Sequence, residues 1–394
     1  MNNALKLILT ILWVYISFAA SYSQIVDVGL YNKSLLKSIV LSVRNDQYEL
    51  TDSNTFSYNL KKNEVLWFSV KNDSILVFTE NKMIGISKTA YLIPYSDNCT
   101  LSLKPTEPSL KRQLYDDGMK ITSKWGVLQL INQTDIDKYV SGVVEAEGGP
   151  KATIEYYKSQ ALLCRTYCIQ NLNKHLNDGF FLCDGTHCQA FNGRSANSEI
   201  IDATSETSGM VLTDADTVIV LAAFHASCGG HTESSGNIWG EEKSYLKPVK
   251  DPYCLGQNNA NWTKTINRDE WIYYLKSKGF KINENIPASV LSASCPKRCK
   301  YFAINKQSIP FTSIRKDFNL RSANFSIKAD DKNVTFNGHG FGHGVGLCQE
   351  GAMEMSRKGK NYIDIINFYY KNVFTFEIGL LNPVKNPNIQ LFEK

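Results

Sequence analysis

Beyond its first two dozen residues the chain has no run of about 18 apolar residues, so nothing in its body reads as a membrane-spanning helix. Lysines and arginines nowhere cluster: the formal charge of +5 is spread along the chain and no nucleic-acid module signature is present, so no nucleic-acid partner is expected. There is no internal repeat and no low-complexity tract, which sets aside solenoid and disordered classes. Histidine is scarce, with six in 394 residues, yet two of them stand four apart among six glycines in "NGHGFGHGVGLCQEGA", residues 337 to 352. What remains is a globular composition, 43% hydrophobic and 21% charged, long enough for two domains with their own cores.

The first 23 residues read as a signal peptide: Lys6 gives a weak positive n-region, Leu7 to Phe18 is almost wholly apolar, and Ser21 and Ser23 bracket a cleavage site before Gln24. An exported mature chain in the periplasm or at the cell surface is therefore expected, with an uncleaved N-terminal anchor as the alternative. No cysteine stands at the cleavage position, which argues against a lipoprotein. The ten cysteines of an exported chain suggest disulfides, and the even count allows all to pair. Cys164 and Cys168 would lie one turn apart on a helix, where bridge geometry is poor, whereas Cys295 and Cys299 flank a short loop that can close locally.

Residues 24 to 125 are β-rich: "KSIVLSV", "YELT", "EVLWFSV", "SILVFTE" and "KTAYLIP" are β-branched or aromatic runs separated by Asn, Asp and Lys turns. They form an N-terminal β-rich domain or extension, and 126 to 394 the main domain. There "WGVLQLIN" is a strand, and "DIDKYVSGVV" leads into the loop "EAEGGP". From Pro150 the apolar positions Ile154, Tyr157, Ala161, Cys164, Cys168 and Leu172 recur at helical spacing, predicting one amphipathic helix of about 23 residues. "SGMVLTDADTVIVLAAFHAS" reads as a hairpin around Asp214 to Asp216. "CQEGAMEMSRKG" is a helix stopped by Gly359, and "YIDIINFYYKNV" a last helix. The class is α+β, a mixed β-sheet core with one long helix.

Two residue groups carry chemistry on their own. In "CDGTHC", Cys183, His187 and Cys188, with His175 upstream, offer two sulfurs and two imidazoles, a set suited to one structural tetrahedral zinc; a Cys183 to Cys188 disulfide is the competing reading. The glycines between His339 and His343 argue against the helix that a zinc-protease motif needs, and a Cys348/His343 thiol protease lacks an evident orienting residue.

Five stretches, "YVSGVVEAEGGP", "KSQALLCRTYCI", "CDGTHCQAFNG", "FHASCGGHTESSGNIWG" and "GHGFGHGVGLCQEGAMEM", occur in the order seen in the SpoIID/LytB family of bacterial sporulation and cell-wall proteins, and the chain resembles that family from roughly Asp135 to Tyr370. The resemblance implies a protein acting on peptidoglycan. SpoIID is a lytic transglycosylase on glycan strands stripped of stem peptides, and LytB-type members modify a partner amidase. Such a transglycosylase needs one carboxylic acid, because the sugar's own C6 hydroxyl is the tethered nucleophile and a single Glu can protonate the leaving oxygen and then take the hydroxyl proton. Glu147 matches the family's catalytic Glu. Glu145 stands where the family more often has Pro, and Gly148 where an apolar residue is usual. If the segment is extended, the two carboxylates share a face and repulsion raises one pKa.

The match further nominates Gln160 and Arg165 on the long helix, His225 and Ser227 on one face of a strand, Glu233 after the glycine pair, and His343 and Gln349 around the glycine-rich loop as glycan contacts, and some family members carry zinc at the "CDGTHC" position. Two function classes follow: a glycan-cleaving enzyme producing 1,6-anhydro-MurNAc ends, and a non-catalytic peptidoglycan-binding activator of a cell-wall amidase. Cysteine replaces the serine frequent in the family at Cys228 and Cys348, which suggests a disulfide between them, with Cys254 as the competing partner of Cys228.

Overall fold

The computed structural model describes residues 24–52, 54–149 and 151–393, so the expected signal peptide and Pro150 lie outside the described residues. The chain divides into two compact units, one built from residues up to 139 together with 177–184, the other from 140–176 and 185–393. The secondary structure is α+β, as the sequence predicts.

The first unit is two sheets. One runs in the order Leu182–Cys183, Ile25–Leu30, Val127–Asp135, Gly118–Lys124, Thr89–Pro94, Tyr48–Thr51, Ser57–Leu60; the other in the order Gln113–Asp116, Thr100–Glu107, Ser38–Asn45, Val65–Lys71, Ser74–Phe78, Met83–Ser87. All five β-rich runs named from the sequence are strands. Alternation does the work: in Ser38–Asn45 the side chains of Ile39, Leu41 and Val43 are fully buried, and so are Leu66 and Phe68 of the neighbouring strand. The strand Val127–Asp135 belongs with this unit, pairing antiparallel with Ile25–Leu30 in the register Val28 to Asn132. Asn132 is buried there, its amide donating to the carbonyls of Asp116 and Gly118.

The segment read from sequence as a lead-in and loop is instead a helix, α1 (Ile136–Gly148). Ile136, Tyr139, Val140, Val143 and Val144 are buried at i, i+3, i+4, i+7 and i+8, and the Asp135 carboxylate accepts from the Asp137 N–H at 2.8 Å to start the first turn. Three valines and Gly142 lower intrinsic helix propensity, and tertiary packing of the apolar stripe overrides it. The next helix, α2 (Ile154–Gln170), spans 17 residues, shorter than the 23 expected, and is buried on nearly all sides. Its buried polar groups are satisfied locally: Ser159 donates to the Tyr156 carbonyl at 2.7 Å and Thr166 to the Leu162 carbonyl at 2.6 Å.

Around α2 pack α3 (Ser198–Glu206), the strand Met210–Thr213 and the helices Gln349–Arg357 and Tyr362–Tyr369. The expected hairpin-like pairing around Asp214 is present as a short turn, with Thr213 and Ile219 in an antiparallel bridge and the Asp214 N–H donating to the Val218 carbonyl at 2.9 Å; Met210–Thr213 also pairs with Phe374–Glu377, and Phe224–His225 pairs in parallel with Leu347–Cys348. A separate core sits under the three-stranded sheet Asn261–Asn267, Asn333–His339, Phe325–Ala329. There Trp271, fully buried, meets Phe302, Phe318 and Phe336 at ring-centroid distances of 5.5, 5.8 and 5.5 Å. Among the described residues no helix is long and apolar enough to cross a membrane.

The exhaustive disulfide pairing that the even cysteine count allows is not realised. Cys295–Cys299 is the bridge present among the described residues, closing the local loop expected for it, while Cys164 and Cys168 are buried thiols on α2. The Cys228 to Cys348 bridge is not formed. Both sulfurs lie in the interior, and the sulfurs of Cys228 and Cys254 are 3.4 Å apart, well beyond the roughly 2.05 Å of a disulfide.

Candidate catalytic site

Because Glu145 and Glu147 are two residues apart on a helix rather than on an extended loop, their side chains point about 200° apart. Repulsion between them is therefore not what raises the pKa of Glu147. Glu145 points at the start of α3: its Oε2 accepts from Ser195 Oγ at 2.6 Å, the Ala196 N–H at 2.7 Å and the Asn197 N–H at 3.4 Å, just before the helix cap at Asn197. It holds a turn. Glu147 is half-buried, and its Oε1 accepts one hydrogen bond, from the Ala190 N–H at 2.7 Å. Burial raises its pKa above the ordinary carboxylate value, opposed by that single N–H. A carboxyl that is partly desolvated and not ion-paired to a cation holds its proton to higher pH than an ordinary carboxyl and can deliver it.

Gln349, the first residue of its helix, donates from Nε2 to the Glu147 main-chain carbonyl at 3.1 Å, and its side chain also bonds the Tyr156 hydroxyl. Tyr156 reaches Gln160 Oε1 at 3.4 Å, and Gln160 Nε2 reaches Cys164 Sγ at 3.4 Å. Glu147, Gln349 and Gln160 are thus brought together, with Tyr156 as a link that the sequence pattern did not single out. Gln160 is fully buried within this chain of contacts and supports the site from behind.

Arg165 is placed elsewhere. Its side chain is fully buried and its guanidinium donates to the carbonyls of Thr204 at 3.0 Å, Thr207 at 2.8 Å and Met210 at 3.3 Å, tying down the end of α3. Those acceptors, rather than a sugar oxygen, occupy its donors. Arg165→Met is expected to lower stability by about 3 kcal/mol or more, because it leaves buried carbonyls without donors. Urea unfolding measures this; an unchanged midpoint with weakened glycan binding would instead return Arg165 to the substrate.

A second group gathers around the glycine-rich loop. His225 and His343 have ring centroids 5.4 Å apart, and Trp239 lies 5.1 Å from His343. The Val345 N–H donates to His343 Nδ1 at 3.0 Å, and His225 Nδ1 faces the Val345 carbonyl at 3.1 Å, which places the proton of His225 on Nδ1 and leaves Nε2 a buried acceptor with no partner among the described residues. Burial pushes both imidazoles down, His343 to about 4 with Arg315 adding to the effect, so both are neutral at pH 7 and act as hydrogen-bonding groups. Glu233 accepts from the Ser234 N–H and from Asn237 Nδ2, each at 2.9 Å. Ser227 is buried beside Cys254. Arg298, missed in the sequence because "PKR" reads as an exposed loop, is carried in by the Cys295–Cys299 bridge and donates to the carbonyls of His231 at 3.0 Å and Cys228 at 2.9 Å. His339 is exposed and turned to Asn261, 2.7 Å away, so the two histidines of the motif do not converge.

The glycines of the loop pack closely against protein. Gly340, Gly342, Gly344 and Gly346 all have positive φ, and a Cβ on them would strike Ser227, His225, Arg298 and Ala223 respectively. The loop lies directly along the segment 223–229. The parallel pairing of His225 with Cys348 then connects this group to Gln349, the next residue, and through it to Glu147.

Three of the sequence-nominated metal residues, His175, His187 and Cys188, come together in the second unit. His175 Nε2 lies 3.3 Å from His187 Nδ1, and Cys188 Sγ lies 3.8 Å from that same nitrogen. Tetrahedral zinc with its usual bond lengths separates two nitrogens by about 3.3 Å and nitrogen from sulfur by about 3.6 Å, so the donor set fits. Adjacent His187 and Cys188 can both serve because the histidine uses its inner nitrogen. Cys183 and Cys188 are not bridged to each other.

Residues 124–213 match the family described as Stage II sporulation protein. An uncharacterised protein of Brachyspira hyodysenteriae is 28% identical over 84% of this chain and 90% of its own length. The stage II sporulation protein D of Bacillus subtilis is 26% identical over 75% of this chain and 88% of its own length. The amidase enhancer of Bacillus subtilis is 27% identical over 59% of this chain and 39% of its own length. Together with motifs in the same order from α1 to the glycine-rich loop, these matches show the chain to be similar to the SpoIID family.

Proposed function

We propose that the protein is a cell-wall enzyme, exported to the periplasm or cell surface, that cleaves peptidoglycan glycan strands as a lytic transglycosylase with Glu147 as the single acid/base. The observation that carries this reading is the contrast between two carboxylates on one helix: Glu145 is consumed by three donors at the head of α3, while Glu147 keeps one weak restraint and a raised pKa. Protonated Glu147 gives its proton to the glycosidic oxygen as the C1–O bond breaks. The resulting carboxylate takes the proton of the C6 hydroxyl as that oxygen closes on C1, which returns the acid and leaves a 1,6-anhydro end. Neutral His343 and His225, with Glu233, are the proposed sugar contacts. The test is incubation of the mature chain with glycan strands lacking stem peptides, with mass spectrometry for anhydro-muramic ends; strands returned intact by wild-type protein would refute the assignment.

A second reading is supported by the relative named amidase enhancer: a glycan-binding activator of a cell-wall amidase without chemistry of its own. It predicts glycan binding and amidase stimulation that survive Glu147→Gln.

One zinc held by His175, Cys183, His187 and Cys188 is proposed as a structural element. It would pin the stretch just before Ala190, whose N–H sets the Glu147 carboxylate. Cys183→Ser is expected to lower the metal content by about one zinc per chain, read by elemental analysis; an unchanged content would remove zinc from this position.

A further inference from the structure

We propose a second, buried metal centre in this chain, formed by Cys228, Asp251, Cys254 and Cys348 and selective for zinc or a similar thiophilic divalent ion. The four donor atoms lie within 4.8 Å of one another, and all four residues are buried. Cys228 Sγ is 3.4 Å from Cys254 Sγ and 3.3 Å from Asp251 Oδ2. A tetrahedral ion with zinc–sulfur bonds near 2.3 Å and a zinc–oxygen bond near 2.0 Å holds two sulfurs about 3.8 Å apart and sulfur and oxygen about 3.5 Å apart. The observed spacings are close to those values and far from a disulfide.

The surroundings are those of metal ligands. Backbone N–H groups donate to two of the sulfurs, Gly230 to Cys254 Sγ and Cys228 to Cys348 Sγ, each at 3.2 Å, which fixes the orientation of these sulfurs. Asp251 is held from outside by the Tyr369 hydroxyl at 2.9 Å and the Tyr253 N–H at 2.8 Å. Gly351 is required at this spot, since a Cβ there would strike both Asp251 and the Tyr369 hydroxyl. Three uncoordinated thiols beside a buried carboxylate, with no cation bonded to that carboxylate among the described residues, make a costly interior; a divalent cation neutralises it. Binding releases the thiol protons, and no redox step is involved.

The ligands come from three distant stretches: the strand carrying His225, the 251–254 turn, and the residue before Gln349. An ion there would fasten the base of the glycine-rich loop to the residue that holds the Glu147 carbonyl. Coordination here does not depend on Glu147 being catalytic, so its test stands apart from the activity assay.

The experiment is metal analysis of zinc-supplemented full-length mature protein, wild type and Cys183→Ser, joined to intact-mass measurement. The Cys183→Ser protein is expected to retain one zinc per chain, and Cys254→Ser in that background to lose it. Cobalt(II) exchanged into Cys183→Ser is expected to give the intense visible bands of a tetrahedral thiolate site, which covers the case in which Cys254→Ser does not fold. If Cys183→Ser carries no zinc and no tetrahedral cobalt spectrum, or if its mass is lower by two hydrogens beyond the Cys295–Cys299 bridge, the centre is a set of thiols or a Cys228–Cys254 disulfide and the proposal falls.

Discussion

Glu147→Gln is expected to abolish anhydro-product formation, a loss of at least about a hundredfold in rate, while leaving the fold intact and somewhat more stable at pH above the raised pKa of Glu147. The amide keeps the shape and can still accept from the Ala190 N–H, but it can neither give nor take the proton. The stability sign follows from burial: the folded-state pKa of Glu147 is raised, so the folded protein favours its protonated form. Its contribution to stability is therefore fully present below the ordinary carboxylate pKa and is lost as pH rises through the raised value, above which a charged, desolvated carboxylate remains. The Gln variant removes that charge. Glu145→Gln should behave in the opposite way, losing stability by about 1 to 3 kcal/mol because three donors at the head of α3 lose a charged acceptor, with the chemical step retained. Thermal melts and product analysis on both variants separate the cases: an inactive Glu145→Gln beside an active Glu147→Gln would exchange the two roles. The same pKa argument requires that activity falls on the alkaline side as Glu147 ionises.

Much of this was legible in the sequence, and what was not has identifiable physical causes. The five β-rich runs, the helices after Cys348 and after Asn361, and the local Cys295–Cys299 closure follow from period-two alternation, from Gly359 as a stop, and from loop length. The helix that carries Glu147 was hidden because Val140, Val143, Val144 and Gly142 resemble strand and turn; its apolar stripe is correct for a helix, but propensity pointed the other way. Arg165 was misdirected by its type. A buried arginine whose donors meet main-chain carbonyls has no pattern in one dimension, since its partners are about 40 residues away. The disulfide expected between Cys228 and Cys348 was wrong, and both are buried free thiols, because sequence pattern does not give sulfur separation. Arg298 and Tyr156 gave only ordinary signals.

The glycine-rich loop, finally, sets a test of how tightly it is packed. At Gly346, φ is +71° and a Cβ would fall on the Ala223 carbonyl oxygen and 2.9 Å from the Tyr370 hydroxyl. Gly359, at the end of the helix Gln349–Arg357, has a similar φ of +79° but nothing within 4 Å of the same virtual atom. Alanine at Gly359 should therefore cost only the left-handed backbone term, about 1 kcal/mol. Alanine at Gly346 adds a collision with a main-chain carbonyl that cannot swing aside, because the Leu347 N–H donates to that same oxygen at 3.0 Å. The expected loss is about 4 kcal/mol, visible as a large drop in the urea midpoint. His225 and Cys348 are paired next to this contact, so the displaced loop should also shift the His343 environment and move its pKa up from about 4 toward the ordinary histidine value, readable by NMR titration of the imidazole. Equal losses at Gly346 and Gly359 would mean that the loop is free to move away from the 223–229 segment. In that case the glycines would serve an approaching ligand after all, rather than the packing that holds His225 against His343.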